Sequence, residues 1–516
     1  MEKSSSSSEE KPDGVDLVDQ IDSVEGSEAP AFEKDTMRHV DWRVLPLMSA
    51  LYAIYLSWTA PISRARTAGM GTDLGLTIGN RYSVVACLYF VPYTLMYALS
   101  SGLQSSAVST YLFSSQLPGN VFLRFFGVRL WLTICVLGHV YASEIHNLDC
   151  LTCCSWGVTQ LGMGWVKTWG QLAACRTLLG LFEGGFFPAL VFVITTWYKR
   201  HEVQTRIASF YLLSVIIGGF SGILAYGITF MKNKGGLASW RWIFILEGIA
   251  TIVLAILNHL FIADFPEKNT FLTPEQTKLV LHRIEVDRGD AVPDEITMQK
   301  VLHHMADWTL WAYALMFMSS AMPVNAIAFF GPTILSSMGF NLKDSLLLTT
   351  PPYVSIFAAF TCFIFAWMSD RAKIRAPFIA FHAVLMFVGV SVTGYTEHNG
   401  PRYFGLFLVT AGASTAIPAI LAYVGANNIV SQSRRAVQTA VVISAGGVGG
   451  IFATLVFRQQ DFPRYMPGVW AIMALQGSTL LLLMLTSWHF VRQNRLSKEG
   501  KLTAPLEGQP GFFYTL

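Results

Sequence analysis

Arg176 and Glu183 stand seven residues apart in an apolar run. Seven residues is close to two helical turns, so on a helix both side chains share one face. An ionised group at membrane depth is costly unless it meets water or a partner, so that face is expected to line an aqueous path. Arginine keeps its charge and presents a planar fork that matches a carboxylate. A carboxyl beside it can take up and release a proton as its surroundings change. The pair therefore has the chemistry to hold an anion and to carry a proton along one path. The competing reading is a buried ion pair that only holds one helix against its neighbours.

Other polar residues in apolar runs give weaker signals. Asn325 follows Pro323 and Thr415 precedes Pro418. A proline-broken helix at each place is expected to expose polar groups to a central cavity, which makes both residues substrate contacts. Glu247 lies in a run that begins near Arg241, and pairing with Arg241 or a backbone donor makes it a packing residue. Asp370, Arg371, Arg434 and Arg435, with Lys199 and Arg200, fall between apolar runs. These read as loop charges that brace a closed state and meet anionic headgroups. Cys150, Cys153 and Cys154 lie near His146, but the spacing is loose and has no second paired cluster, so no metal is assigned. HExxH, GxSxG and Walker sequences are missing, which argues against an enzyme, and no cofactor is expected.

The elements that must hold these residues follow from composition. Hydrophobic residues make up 53% of the 516 and charged residues 13%. An ordinary soluble domain carries about 25% charged residues, so a water-soluble globule is disfavoured. The 36 Lys and Arg against 33 Asp and Glu are too balanced to grip a nucleic-acid backbone. Stretches long enough to cross a bilayer fall near 44–62, 82–102, 130–146 continuing past 155, 168–195, 205–230 and 242–263. Six more fall near 308–335, 345–368, 377–394, 402–425, 437–457 and 468–491. The expected fold is all-α, with twelve transmembrane helices in two six-helix bundles, residues 42–265 and 308–492. A polar loop, 266–307, joins them and contains a helix start at Pro274-Glu275. Residues 1–41 carry twelve acids, four bases and the run Ser4 to Ser8, and read as a disordered tail; 493–516 form a second tail. Loops on the side of both tails hold roughly twice the Lys and Arg of the opposite loops, which puts both termini and the central loop in the cytoplasm.

Four blocks are more specific than hydropathy. They are Arg176-Thr-Leu-Leu-Gly180-Leu-Phe-Glu183-Gly-Gly-Phe-Phe-Pro188, Trp197-Tyr-Lys-Arg200, Trp240-Arg-Trp-Ile-Phe-Ile-Leu-Glu247-Gly248, and Asp264-Phe-Pro-Glu-Lys268 with Phe271-Leu-Thr-Pro-Glu275. Together they resemble the allantoate-permease branch of the fungal anion:cation symporter family, within the major facilitator superfamily. The similarity runs from near Asp41 to near Arg495. The resemblance implies two pseudo-symmetric bundles with a substrate site between them at mid-membrane. It also implies secondary transport of a small organic acid such as allantoate, nicotinate or pantothenate, with protons, by a monomer in the cell membrane. It gives Arg176 the anion and Glu183 the proton. Export of a secondary metabolite and a non-transporting receptor are the alternatives.

The chain departs from the family pattern in two ways. The family's first helix ends in Asp-Arg-x-Asn, whereas this chain has Trp58-Thr59-Ala60-Pro61 there, without either charge. Back-translation of Tyr55 to Pro61, read in a shifted frame, permits Ser-Phe-Leu-Asp-Arg-Ala-Asn, so a frame offset accounts for the loss. Segments 97–115 and 141–155 interrupt spans two and three, and their possible codons include splice-donor and terminal AG sequences; they read as retained introns. For the fourth-span pair, Arg176→Lys is expected to weaken carboxylate transport, because a point charge lacks the planar fork. Glu183→Gln is expected to abolish pH-driven accumulation while sparing exchange. Radiolabelled uptake at two external pH values checks both.

Overall fold

A peptide group in lipid has no water to bond, so an apolar chain must satisfy its backbone internally. The computed structural model describes residues 29–59, 61–102, 156–183, 190, 193–194, 196–231, 234–261, 266, 269–288, 298–354, 356–372, 374–427, 432–501, 505–506 and 513–515. Among them there are helices and turns and no strand. The first half holds α1 (Ala29–Thr59), α2 (Pro61–Ala65), α3 (Arg81–Gly102), α4 (Trp156–Met163) and α5 (Trp169–Glu183). It continues with α6 (Arg200–Gly219), α7 (Ser221–Thr229) and α8 (Ser239–Phe261). Two helices follow in the polar connection, α9 (Pro274–Arg288) and α10 (Met298–Met305). The second half holds α11 (Trp308–Ser337), α12 (Leu342–Leu347), α13 (Thr350–Val354) and α14 (Ile356–Ala372). It ends with α15 (Ala376–Tyr395), α16 (Asn399–Asn427), α17 (Gln432–Val456) and α18 (Met466–Lys498). Six helical stretches among the described residues are long and apolar enough to cross a membrane: 205–229, 308–337, 376–395, 399–425, 437–456 and 466–498. Most of the expected third span, the insert 141–155, most of the insert 97–115 and the cysteine cluster lie outside the described residues.

The N-terminal tail is shorter than the acidic composition suggests. Helix α1 begins at Ala29, not after Asp41. Met37, Val40, Val44, Met48 and Leu51 are buried at three- and four-residue spacing, one continuous apolar stripe. The acids on the other faces are engaged: Glu33 meets Lys199 at 3.7 Å and Arg283 of α9 at 2.5 Å, and Asp41 meets Arg206 of α6 at 3.3 Å. The second half carries the same kind of tie. Asp307 caps α11 by accepting from the Thr309 amide at 2.9 Å, and it pairs with Arg434 near the start of α17.

The halves meet where α3 runs along α17 and where α6 packs on α14 and α16. Small residues permit the approach. A Cβ on Gly447 would stand 2.2 Å from Thr94 Oγ1, so nothing larger fits at this crossing. Within the first half, α5 rests on α3 through Gly180, where a Cβ would stand 2.0 Å from the Tyr89 carbonyl oxygen. Because backbone opposes that position, Gly180→Val is expected to cost at least about 3 kcal/mol, the upper end of overpacking penalties. Gly477, with open space around it, tolerates alanine without change. Thermal unfolding in detergent distinguishes the two substitutions.

Candidate functional site

Helix α2 begins at Pro61, a residue suited to a helix start because its missing N–H has no partner there anyway. One turn later α2 carries Arg64 to the interface between the halves. Facing it, α6 passes into α7 through Phe220, which keeps a helical conformation while the hydrogen bonding tightens to three-residue spacing. The Ser221 hydroxyl donates to the Gly218 carbonyl, and the Ser221 carbonyl accepts from Arg64 Nη1 at 3.2 Å. The same Nη1 lies 3.4 Å from Glu247 Oε1 of α8, with both side chains 5% exposed. Gln160 of α4 donates to the other Glu247 oxygen at 3.5 Å. Such a pair is stable in a low-dielectric interior only when its remaining polar atoms are also bonded, which Ser221 and Gln160 help to provide.

Arg64 also lines a cavity between the halves. Its volume is about 150 Å³, room for on the order of ten waters. Phe90, Tyr93 and Tyr211 of the first half and Phe317 and Asn325 of the second share the wall. Among the described residues that line it, Arg64 is the only charged one. Prolines add polarity. Pro332 and Pro418 lack the N–H that would bond the carbonyls of Ala328 and Ser414, and both of those residues line the cavity. Pro323 likewise frees the Ser319 carbonyl, which accepts instead from Gln476 Nε2 at 2.9 Å. Both ends of the cavity are bridged across the halves. At one end the Tyr82 hydroxyl donates to the Phe329 carbonyl at 2.7 Å, with Arg66 4.1 Å above the Tyr82 ring. At the other, Thr205 Oγ1 donates to Asp370 at 2.6 Å.

The residues singled out by sequence are dispersed around this centre. Asn325 is on the cavity wall and donates to the Ala321 carbonyl at 3.0 Å. Arg176 is fully buried in α5 and within electrostatic reach of Glu247 and Tyr82, but it does not line the cavity. Helix α5 packs on α3, and α3 supplies the wall residues Phe90 and Tyr93, so Arg176 stands behind the wall while Arg64 lies on it. Glu183 is the last residue of α5, and its side chain lies outside the described residues. Thr415 faces away from the cavity: successive helical residues point about 100° apart, and Ser414 takes the cavity side. Thr415 donates to the Ala411 carbonyl at 3.0 Å and borders a separate void of about 10 Å³ with His382 and Cys362.

Glu247 pairs with Arg64 rather than with Arg241, which donates to the Gly164 carbonyl at 2.9 Å and stands over Trp240. Asp370 joins Thr205 and, at 3.7 Å, Arg375; burial pushes the Arg375 guanidinium down from its ordinary value, and Asp370 opposes that. Arg371 is exposed beside Trp367, and Arg434 belongs to the Asp307 tie. Sequence reasoning missed Arg64, Gln160 and Tyr82. One signal was available: an intramembrane acid such as Glu247 needs a cation, and Arg64 follows the first apolar run by two residues.

Comparison with known proteins gives a consistent result. The sequence model of the Major Facilitator Superfamily matches residues 150–454. The chain is 29% identical over 466 residues to an uncharacterised transporter of Schizosaccharomyces pombe, covering 90% of this chain and 84% of that protein. It is 28% identical over 479 residues to the MFS-type transporter efuF of Hormonema carpetanum, covering 92% and 88%. With the high-affinity nicotinic acid transporter of Saccharomyces cerevisiae it shares 25% over 466 residues, covering 90% and 79%. Its fold is similar to the partially occluded, inward-open xylose transporter XylE of E. coli, with a TM-score of 0.58 at 13% identity, over 87% of this chain and 99% of that one.

The buried pair can be tested apart from any substrate. Glu247→Leu leaves the buried Arg64 without its counter-charge and is expected to cost about 3–5 kcal/mol. Glu247→Gln keeps an oxygen for Arg64 and is expected to cost less. Thermal midpoints of the purified variants check the order.

Proposed function

We propose that this chain, which belongs to the Major Facilitator Superfamily, carries a small organic anion with protons, as in the allantoate-permease branch, and that Arg64 holds the anion. The chain is a multi-pass membrane transporter with an all-α fold. The observation that carries the reading is the Arg64–Glu247 pair on a cavity bridged at both ends. In this enclosed site one guanidinium charge balances one carboxylate charge. While Glu247 is ionised it occupies Arg64; when Glu247 takes a proton, Arg64 loses its counter-charge and a substrate carboxylate restores it. Proton and anion therefore enter together, and loss of the proton returns Arg64 to Glu247 and expels the anion.

A single cation among aromatic walls favours one carboxylate on a flat, mainly apolar body, with Asn325 meeting a polar atom. The similarity to a nicotinic acid transporter supports a monocarboxylate. In this scheme Arg176 acts behind the wall, through its field on Glu247, and Thr415 sets the packing of α16. Asp370 gates one end with Thr205, and Arg371 and Arg434 brace the same end. Glu183 is a second proton site. The two bundles, residues 42–265 and 308–492, rock about the cavity, with both termini in the cytoplasm and the chain in the cell membrane as a monomer.

Uptake of radiolabelled nicotinate and other monocarboxylates by cells expressing the chain tests this at acid and neutral external pH. Accumulation is expected to be greater at acid pH. Arg64→Gln is expected to lower uptake at least about tenfold, the scale of a lost charge-assisted contact. Glu247→Gln is expected to retain exchange and lose uphill accumulation. Unchanged kinetics in Arg64→Gln would remove Arg64 from the site.

A further inference from the structure

Residues 513–515 lie against the second half, bound through their backbone. Asn494 of α18 spends its carboxamide on one residue: Nδ2 donates to the Tyr514 carbonyl at 2.9 Å, and Oδ1 accepts from the Tyr514 amide at 2.8 Å. The Tyr514 ring stacks on Phe490, one turn back along α18, with centroids 4.5 Å apart. The Thr515 amide then donates to Asn427 Oδ1 at 2.8 Å. Asn427 is the last residue of α16, is 1% exposed, and reaches the Tyr313 hydroxyl of α11 at 3.5 Å. Tyr514 and Thr515 thus join the ends of α18 and α16, and Asn427 extends the tie to α11.

These helix ends are at the Thr205–Asp370 end of the cavity. Helix α16 lines the cavity through Thr410 and Ser414 and packs on α6 of the other half, so opening this end requires α16 to separate from α6. We propose that residues 513–515 are a built-in latch: docked on Asn494, Phe490 and Asn427, they hold the end of α16 where it closes against α6, and their release lets that end open. Backbone hydrogen bonds give the docking most of its hold, and the Tyr514 ring sets the register. Nothing in this depends on which substrate the cavity takes.

Spin labels at Glu275 of α9 and at Ile374, both exposed, report the separation of the halves at this end. Helix α9 belongs to the first half through Arg283, which bonds Glu202 at 2.8 Å. The full chain is expected to give mainly the short separation by pulsed electron resonance. Tyr514→Ala, and a chain stopped after Lys501, are each expected to raise the population of the long separation about threefold or more. A synthetic peptide of residues 505–516 is expected to reverse the change in the shortened chain. Unaltered distances in both variants would overturn the latch. So would a long-separation population that the peptide fails to reduce, because general loosening of the bundle would then be the cause.

Discussion

Two opposite charges are held 3.4 Å apart in an interior where neither survives alone. Four helical pieces are fixed by that requirement. Helix α2 must bring Arg64, α8 must bring Glu247, α4 must turn Gln160 inward, and the junction of α6 and α7 must present the Ser221 carbonyl. Neutralising either charge changes what the other needs, so whatever acts on Glu247 acts on Arg64 as well. The interaction that organises the first half is also the one able to respond to a ligand.

The surrounding chain is arranged so that this pair sits in a space with closable ends. Prolines in α11 and α16 release carbonyls without breaking either helix, which adds acceptors to a largely aromatic wall at no cost in charge. The glycine crossing of α3 and α17 lets Phe90, Tyr93 and Thr94 of α3 pack directly against the α17 backbone. The rims differ in kind. One includes a tyrosine hydroxyl on a backbone carbonyl, the other a threonine on a carboxylate, and a hydrogen bond of either kind is of modest net strength.

Hydropathy located most helices because burial in lipid demands apolar runs, and the loop helix at Pro274 was legible from its start residues. The site was less so. Arg64 was hidden because it follows the first apolar run and reads as a loop cation; only the tertiary position of Glu247 makes it a partner. Thr415 and Ser414 differ by one residue, and sequence alone does not say which of two neighbours faces the cavity. Arg176 and Glu183 both fall on α5, but no described side chain of α5 lines the cavity wall. The acidic average over residues 1–41 masked the Met37, Val40, Val44 stripe, since net charge measures solvation and not periodicity.

The ties from Asp41 to Arg206 and from Asp307 to Arg434 each remain inside one half. They are part-exposed, at 33% and 20% for the first pair, whereas Arg64 and Glu247 are at 5%. Dissolved ions screen the former and barely reach the latter. A change in ionic strength therefore acts on these part-exposed ties and leaves the Arg64–Glu247 contact almost untouched.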